Sequence, residues 1–292
     1  MSQHPSPPNL LCKACATSLP VDSFDVLASY VSPDQYELSV GVTANKYMRK
    51  WIQCPFCTSI FSIYSRPPEA FNFLYDHLYR KHGSVPWRKL STEETFKIVL
   101  ELPPEKSETT IRVNSIKNTI NGYINDGIIP LEDNYKLLDI GGSTGSFAYA
   151  FKSKEWKSYV IDPDESGNFI SNYGVDFTKG YFNENSFGFK FNLVSLIFVL
   201  EHLIDPKELL LQIRPSLISS GLLYIEVPDA IAFEKNSHDH ETFNSCHLWI
   251  FNPKTLSALL GDCGYELMQL NRYRTVRGYY ALTALARPTN LL

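Results

Sequence analysis

Short apolar runs alternate with helical segments between Tyr135 and about Leu260, and this alternation restricts the chain to few folds. Strands that are apolar throughout are buried on both faces, and helices between them imply right-handed crossovers that leave the strands parallel. The pattern therefore predicts an α/β fold with a doubly wound, Rossmann-like and mostly parallel sheet. The apolar runs lie at residues 137–139, 159–161, 193–197 and 222–225.

Turn and cap signals surround this sheet. Runs at residues 265–273 and 279–286 flank Thr275–Gly278, which predicts an antiparallel hairpin at a sheet edge. Asp205 followed by Pro206 marks a helix start, and Pro215 should kink or shorten that helix. Further helices are predicted after Asn252-Pro253, over Pro68–His82 and over Thr109–Asn125.

A glycine-rich turn follows the first apolar run. It reads D-x-G-x-S-x-G from Asp139 to Gly145, and a second acidic residue, Asp162, ends the next run. Glycines let the backbone approach a ligand closely, and a helix N-terminus presents free N–H groups. A carboxylate at Asp162 can accept both hydroxyls of a ribose, which predicts a nucleoside cofactor; a turn with incidental glycines is the alternative.

This turn resembles the first motif of class I S-adenosylmethionine-dependent methyltransferases. Phe191–Leu203, which contains Leu200-Glu201-His202, and Gly221–Asp229 are similar to the fourth and fifth strands of that family. The resemblance runs from about 135 to 286 and implies a seven-stranded sheet with S-adenosylmethionine as cofactor. It implies that the loop holds the methionine part of the cofactor, that Asp139 places its amino group and that Asp162 binds its ribose. The implied cofactor-binding residues are Asp139, Gly141, Gly142, Ser143, Gly145, Asp162, Tyr181 and Phe198.

Four positions depart from the family pattern. Ser143 replaces a glycine, which we expect to be tolerated at negative φ, and Asn192 replaces an aspartate. Tyr181 follows Gly180 where an acidic residue often lies near the adenine. Cys246 replaces a glutamate before His247.

Two C-x-x-C pairs, Cys12 with Cys15 and Cys54 with Cys57, precede this region. The N-terminal residues do not have the pattern of a secretory signal, so we expect reduced thiols in a cytoplasmic protein. Four thiolates satisfy tetrahedral zinc and leave no open position, which predicts a structural site. Redox pairs or unligated thiols are the alternatives. Cys246 and Cys263 are expected to be inert buried thiols.

A zinc module before a methyltransferase domain resembles the bacterial methyltransferases of sugar and polysaccharide biosynthesis. The tyrosines of Phe73–Tyr75 and Leu78–Tyr79 echo that branch, whereas Ala16 and Thr58 stand where a glycine commonly follows the second cysteine. The best-known members carry a further C-terminal domain, which we do not expect here. The predicted organisation is a flexible tail (1–11), a zinc-ribbon-like module (12–66), a helical connector (67–130) and the methyltransferase domain (131–292).

Methyl transfer needs two reactants in position and a group that takes the proton of the acceptor. His202 and His247 are the predicted catalytic residues, because each follows a strand at the carboxyl edge of the sheet. In the sugar branch the histidine at the position of His247 is the proposed base. The cluster from His238 to Glu241 could bind a metal, but we favour an exposed loop tip.

Composition narrows the function further. The chain has 27 Lys and Arg against 31 Asp and Glu, so a broad cationic surface for nucleic acid is not expected. No apolar run reaches the roughly 18 residues of a membrane helix. The leading hypothesis is a methyltransferase for a saccharide, nucleotide sugar or related small molecule. The alternative is an inactive zinc-bearing scaffold with the same fold.

Overall fold

The computed structural model describes residues 9–45, 47–66, 69–74 and 89–289. In chain order the strands are β1 (Asn9–Leu11), β2 (Ser18–Pro20), β3 (Asp25–Tyr30), β4 (Arg49–Gln53), β5 (Ile60–Tyr64), β6 (Tyr135–Ile140), β7 (Trp156–Asp162), β8 (Asp176–Lys179), β9 (Phe191–Ile197), β10 (Leu217–Pro228), β11 (Trp249–Ile250), β12 (Tyr265–Arg274) and β13 (Tyr280–Pro288). The helices are α1 (Gln35–Ser39), α2 (Glu69–Phe73), α3 (Thr92–Glu101), α4 (Glu108–Asn125), α5 (Ser146–Phe151), α6 (Pro206–Ile213), α7 (Ala232–Lys235) and α8 (Pro253–Asp262).

The central sheet has seven strands in the order β12-β13-β10-β9-β6-β7-β8. Strands β10, β9, β6, β7 and β8 are parallel to one another, and β13 pairs antiparallel with both β10 and β12. The sheet is therefore mixed, which confirms the Rossmann-like α/β prediction with an antiparallel C-terminal hairpin. Within the described ranges, no helix is both long and apolar enough to cross a membrane.

Burial on both faces of the sheet explains why its strands read as continuous apolar runs. Leu137 and Leu138 are neighbours in β6, so they point to opposite faces, and both are fully buried. Leu193 and Val194 are likewise neighbours in β9, point to opposite faces and are fully buried. Each such side chain contributes about 1.5–3 kcal/mol on burial.

Local signals set the helix boundaries. The Asp205 carboxylate accepts the N–H groups of Lys207 and Glu208, and α6 ends two residues before Pro215, as predicted. Asn252 and Thr255 form a reciprocal capping box at the start of α8. The helix predicted over Thr109–Asn125 is present as α4. Of the helix predicted over Pro68–His82, α2 covers the beginning, while residues 75–88, including Leu78 and Tyr79, lie outside the described residues.

The N-terminal module is joined to the central domain through a shared sheet. Its four strands run in the order β11-β5-β4-β3, and β11 comes from the C-terminal half of the chain. Trp249 pairs with Phe61, and Ile250 pairs with Ile60. The module therefore extends beyond the segment 12–66 that the sequence assigned to it. Residues 9–11, expected in the flexible tail, form β1 because they pair with β2.

Candidate functional site

The loop between β6 and α5 requires small residues for steric reasons. Gly141 has a φ of +71° and Gly145 a φ of +69°, which side chains rarely adopt. Gly142 is required because there is no room for a side chain: a Cβ there would lie 2.6 Å from Oδ2 of Asp139. The loop therefore lies tightly against the end of β6, and its backbone lines the cavity described below.

Ser143 does not meet the condition under which we expected serine to be tolerated, namely a negative φ. Its φ is +54°, in the left-handed region that favours glycine. The conformation is held by the carboxylate of Asp162, whose Oδ2 accepts the Ser143 N–H at 2.9 Å. The serine thus keeps the backbone shape that a glycine would give.

This conformation predicts a stability change of unusual sign. Ser143→Gly should raise the free energy of unfolding by about 0.5–1 kcal/mol, because relief of left-handed strain outweighs the entropy that glycine gains in the unfolded chain. The matched control Ser115→Gly, on the exposed side of α4, should lower stability by roughly 0.5 kcal/mol. Urea unfolding of both variants tests the pair, and a destabilised Ser143→Gly would contradict the strain argument.

Two carboxylates lie beneath the loop. Asp139 accepts the Ser195 hydroxyl at 2.7 Å and forms part of the cavity wall. Asp162 is 2% exposed, and besides Ser143 it accepts the Asp164 N–H at 2.9 Å. It holds the loop in shape, and it does not line the cavity in this structure. Its role with a ribose stays a prediction.

A cavity of about 540 Å³ opens at the carboxyl edge of the sheet. It brings together seven predicted site residues: Asp139, Gly141, Gly142, Ser143, Phe198, His202 and His247. Gly145, the N-cap residue of α5, lies outside its wall, and a Cβ there would meet Ile170 at 2.6 Å. Tyr181, expected near the adenine, is 63% exposed and also lies outside the wall.

The two histidine rings contact each other edge to face in the wall of this cavity. Their ring centroids are 4.9 Å apart. Nδ1 of His247 donates to the Thr242 carbonyl at 2.7 Å, and Nδ1 of His202 donates to the Cys246 carbonyl at 3.0 Å. Burial lowers the pKa of His247 to about 4, so its imidazole is neutral at pH 7 with the acceptor lone pair on Nε2. The backbone of Cys246, rather than its side chain, orients His202.

Glu201 is a site residue that we did not single out from the sequence. Its side chain is fully buried, and neither carboxylate oxygen has a hydrogen-bond partner among the described residues. Burial raises the pKa of Glu201 well above its ordinary value. Oε1 lies 4.0 Å from Nε2 of His202. The only indication of Glu201 in the sequence was that it directly precedes His202.

The N-terminal module forms part of the cavity wall and holds the loop that carries His247. Tyr36 of α1 lines the cavity. The Asp34 carboxylate accepts the N–H of Ser245 at 2.6 Å and its hydroxyl at 2.7 Å. Arg66 is buried, pairs with Glu37 at 2.8 Å and donates to the Ser245 carbonyl at 2.7 Å. Nothing in the local sequence pattern indicated these contacts.

A family model described as a methyltransferase domain matches residues 92–270, which is more than half of the chain. The chain belongs to this methyltransferase family. The glycine loop and strands β6 to β10 fall within the matched segment, whereas β13 and part of the cavity wall, including Tyr36 and Arg277, lie outside it.

Several solved structures are similar to this methyltransferase. The 1,6-didemethyltoxoflavin-N1-methyltransferase of Burkholderia thailandensis is 14% identical, with a TM-score of 0.52 over 84% of this chain and 96% of that chain. The magnesium protoporphyrin IX methyltransferase of Synechocystis PCC 6803 is 13% identical (TM-score 0.47, 67% and 94% covered), and a methyltransferase of Methanosarcina mazei is 18% identical (0.45, 59% and 97%). Comparison with curated proteins gave no match. At these identities the likeness concerns the fold and not the acceptor.

The four paired cysteines of the methyltransferase converge at one point. Ala16 and Thr58 follow the two C-x-x-C pairs at φ values of +56° and +62°, and each N–H donates 3.0 Å back to the carbonyl of the first cysteine. The two turns thus share one geometry. Sγ of Cys12 lies 3.5 Å from Sγ of Cys57, Sγ of Cys15 lies 3.9 Å from Sγ of Cys54, and all four sulfurs lie within 4.8 Å. Tetrahedral zinc with bonds of about 2.3 Å sets sulfurs roughly 3.8 Å apart, so the cluster could hold that ion.

The remaining residues considered in the sequence analysis lie away from the cavity or form hydrogen bonds to the backbone. His238 is exposed, and Nδ1 of His240 accepts the Thr242 N–H, so this pair does not converge on a metal. Asn192 accepts the Lys136 N–H at the start of the sheet, far from its carboxyl edge. Cys263 is buried, and burial raises its pKa to about 11.

Proposed function

We propose that this chain transfers a methyl group from S-adenosylmethionine to a small polar acceptor, such as a saccharide or nucleotide sugar. The observation that carries the proposal is the single cavity, which joins the glycine loop to the two histidines at the carboxyl edge of the sheet. Ligands of open α/β folds bind at this edge. The matched family and its fold support the type of reaction.

The loop side of the cavity suits the methionine end of the cofactor. Its volume lies within the range of about 300–1,000 Å³ that small-molecule sites occupy. The backbone of Gly141, Gly142 and Ser143 lines this end, and the Asp139 carboxylate offers a partner for an ammonium group. When bound, the cofactor supplies an electrophilic methyl group on a sulfonium.

The remaining chemistry falls to the chain. The acceptor must lie in line with the methyl group, and its proton must leave as the new bond forms. Nε2 of His247 or of His202 can accept this proton, and the carbonyls bonded to their Nδ1 atoms fix the rings. Tyr36 closes the same cavity from the N-terminal module and helps to exclude water.

The outer wall favours an acceptor with several hydroxyl groups. Glu241, Asn244, Arg277 and Tyr279 line it, and the Tyr279 hydroxyl donates to Glu241 at 2.6 Å. Side chains that both donate and accept hydrogen bonds suit a sugar. We also propose that the four cysteines hold a structural zinc ion in the N-terminal module.

His247→Ala should lower kcat at least 100-fold and leave the Kd for S-adenosylmethionine unchanged, because the imidazole acts on the acceptor and not on the cofactor. His238→Ala, an exposed histidine in the same long loop, is the matched control and should retain full turnover. A radiolabelled methyl donor with a panel of sugar nucleotides measures kcat, and calorimetry measures Kd. Loss of cofactor affinity in His247→Ala would contradict this division of roles.

Calorimetry of the unmodified protein separates the proposal from an inactive scaffold. A methyltransferase binds S-adenosylmethionine with one site per chain, whereas no binding at millimolar concentration would overturn the proposed function. Two of the departures from the family pattern leave the site intact, which supports an enzyme over a scaffold. Ser143 keeps the glycine-like conformation, and the Cys246 carbonyl accepts a hydrogen bond from His202 although the side chain is not a glutamate.

A further inference from the structure

We infer that Glu201, His202 and His247 form a divalent-cation site at the acceptor end of the cavity, separate from the cysteine cluster. Their three ligand atoms lie within 4.8 Å of one another, and all three residues line the cavity. Two imidazoles and one carboxylate are a common ligand set for transition-metal ions. Cation binding stands on this geometry alone, while its use in catalysis rests on the proposed function.

The histidines are held in the state that coordinates a metal. Nδ1 of each ring donates to a backbone carbonyl, at 3.0 Å for His202 and 2.7 Å for His247. A hydrogen bond from one ring nitrogen to a carbonyl leaves the lone pair on the other nitrogen and fixes the direction in which it points. The same arrangement orients metal-binding histidines in general. In each ring the lone pair that can bind a cation is therefore on Nε2.

Glu201 provides the second, independent observation. Its side chain is fully buried, and in the described part of the chain neither oxygen meets a hydrogen-bond donor. Burying a carboxylate without a partner costs several kcal/mol, so such a group is paired, protonated or bound to a metal. Its Oε1 lies 4.0 Å from Nε2 of His202. A cation bound to both atoms at about 2.1 Å in tetrahedral geometry would bring them roughly 0.6 Å closer.

The three ligands leave coordination positions open toward the cavity. A hydroxyl group of the acceptor that enters one of these positions would lose its proton more readily, because a bound cation lowers the pKa of an oxygen ligand. In the loaded protein the two imidazoles would act as ligands, the cation would favour the deprotonated hydroxyl, and the released proton would pass to solvent water at the cavity mouth. Mixed nitrogen and oxygen ligands suit Mn²⁺, Fe²⁺ or Zn²⁺ better than Ca²⁺.

Titration of the full-length protein with Mn²⁺ tests the site, with free Mn²⁺ followed by electron paramagnetic resonance. Mn²⁺ is a weak partner for thiolates, so the cysteine cluster does not compete. We expect one bound Mn²⁺ per chain and a loss of affinity of at least 30-fold in Glu201→Gln. Glu241→Gln, which removes a carboxylate from the same cavity, should change affinity less than threefold.

Two results would overturn the inference. One is the absence of Mn²⁺ binding at millimolar concentration, which would mean that Glu201 is simply protonated. The other is equal Mn²⁺ affinity in Glu201→Gln and the unmodified protein. Thermal unfolding of both proteins shows that the variant is folded. Calorimetry with S-adenosylmethionine separates the two proposals, because failure to bind the cofactor refutes the proposed function and leaves the Mn²⁺ result intact.

Discussion

Gly142→Ala is expected to weaken S-adenosylmethionine binding at least 100-fold, which corresponds to about 2.7 kcal/mol. The added Cβ would lie 2.6 Å from Oδ2 of Asp139 and 3.0 Å from Cγ1 of Val160. Neither neighbour yields easily, since Asp139 is bonded to the Ser195 hydroxyl and Val160 is fully buried in the sheet. The loop must therefore move away from β6 and into the space proposed for the cofactor. Calorimetry gives the change in Kd.

Gly188→Ala is the matched control for this substitution. Gly188 lies outside any helix or strand, and a Cβ there meets nothing within 4 Å. At neither glycine does a positive φ complicate the comparison. The control should bind the cofactor as the unmodified protein does. Equal affinity in Gly142→Ala would place the cofactor elsewhere, and thermal unfolding of both variants checks that the fold persists.

Cys54→Ser should remove the bound metal and lower the Tm by about 10 °C or more. Metal binding to a cysteine cluster contributes directly to folding, and about 4 kcal/mol shifts the Tm of a chain of this size by roughly that amount. Cys54 is fully buried between β4 and β5, the strands that support β11. Its loss should therefore also release the loop that carries His247 and reduce turnover.

Cys263→Ser provides the comparison for this effect. Cys263 is buried as deeply, but it lies outside the four-cysteine cluster. Both variants place a buried hydroxyl where a thiol was. The difference between their Tm values therefore measures the contribution of the bound metal. Elemental analysis should find one zinc per chain in the unmodified protein and in Cys263→Ser. A purified protein without metal, or equal Tm values for both variants, would refute the zinc proposal.

The sequence predicted the central sheet well because its determinants are local. Residues such as Leu137 and Leu138 are apolar on successive positions, which only a strand buried on both faces requires. Caps such as Asp205 act within three residues of their own position. The hairpin was visible for the same reason.

The rest of the site depends on contacts between distant segments. Tyr36 lines the cavity, and Asp34 binds Ser245 across 211 residues of sequence. A periodic sequence pattern cannot indicate a contact over such a separation. The φ of Ser143 follows from the carboxylate of Asp162, on the neighbouring strand. Glu201 was overlooked because the sequence does not show that its side chain is buried. Only the structure places this carboxylate in the cavity wall.

The strand that follows His247 has a consequence for synthesis on the ribosome. Ile250 pairs with Ile60, so the N-terminal sheet lacks its last strand until the 189 residues between them have been translated. At about 5–20 residues per second this delay lasts roughly 10–40 s, during which β5 presents an open edge to other nascent chains. The four paired cysteines all precede β5 in the chain, so early metal binding by them would stabilise the incomplete N-terminal sheet while the rest of the chain is synthesised.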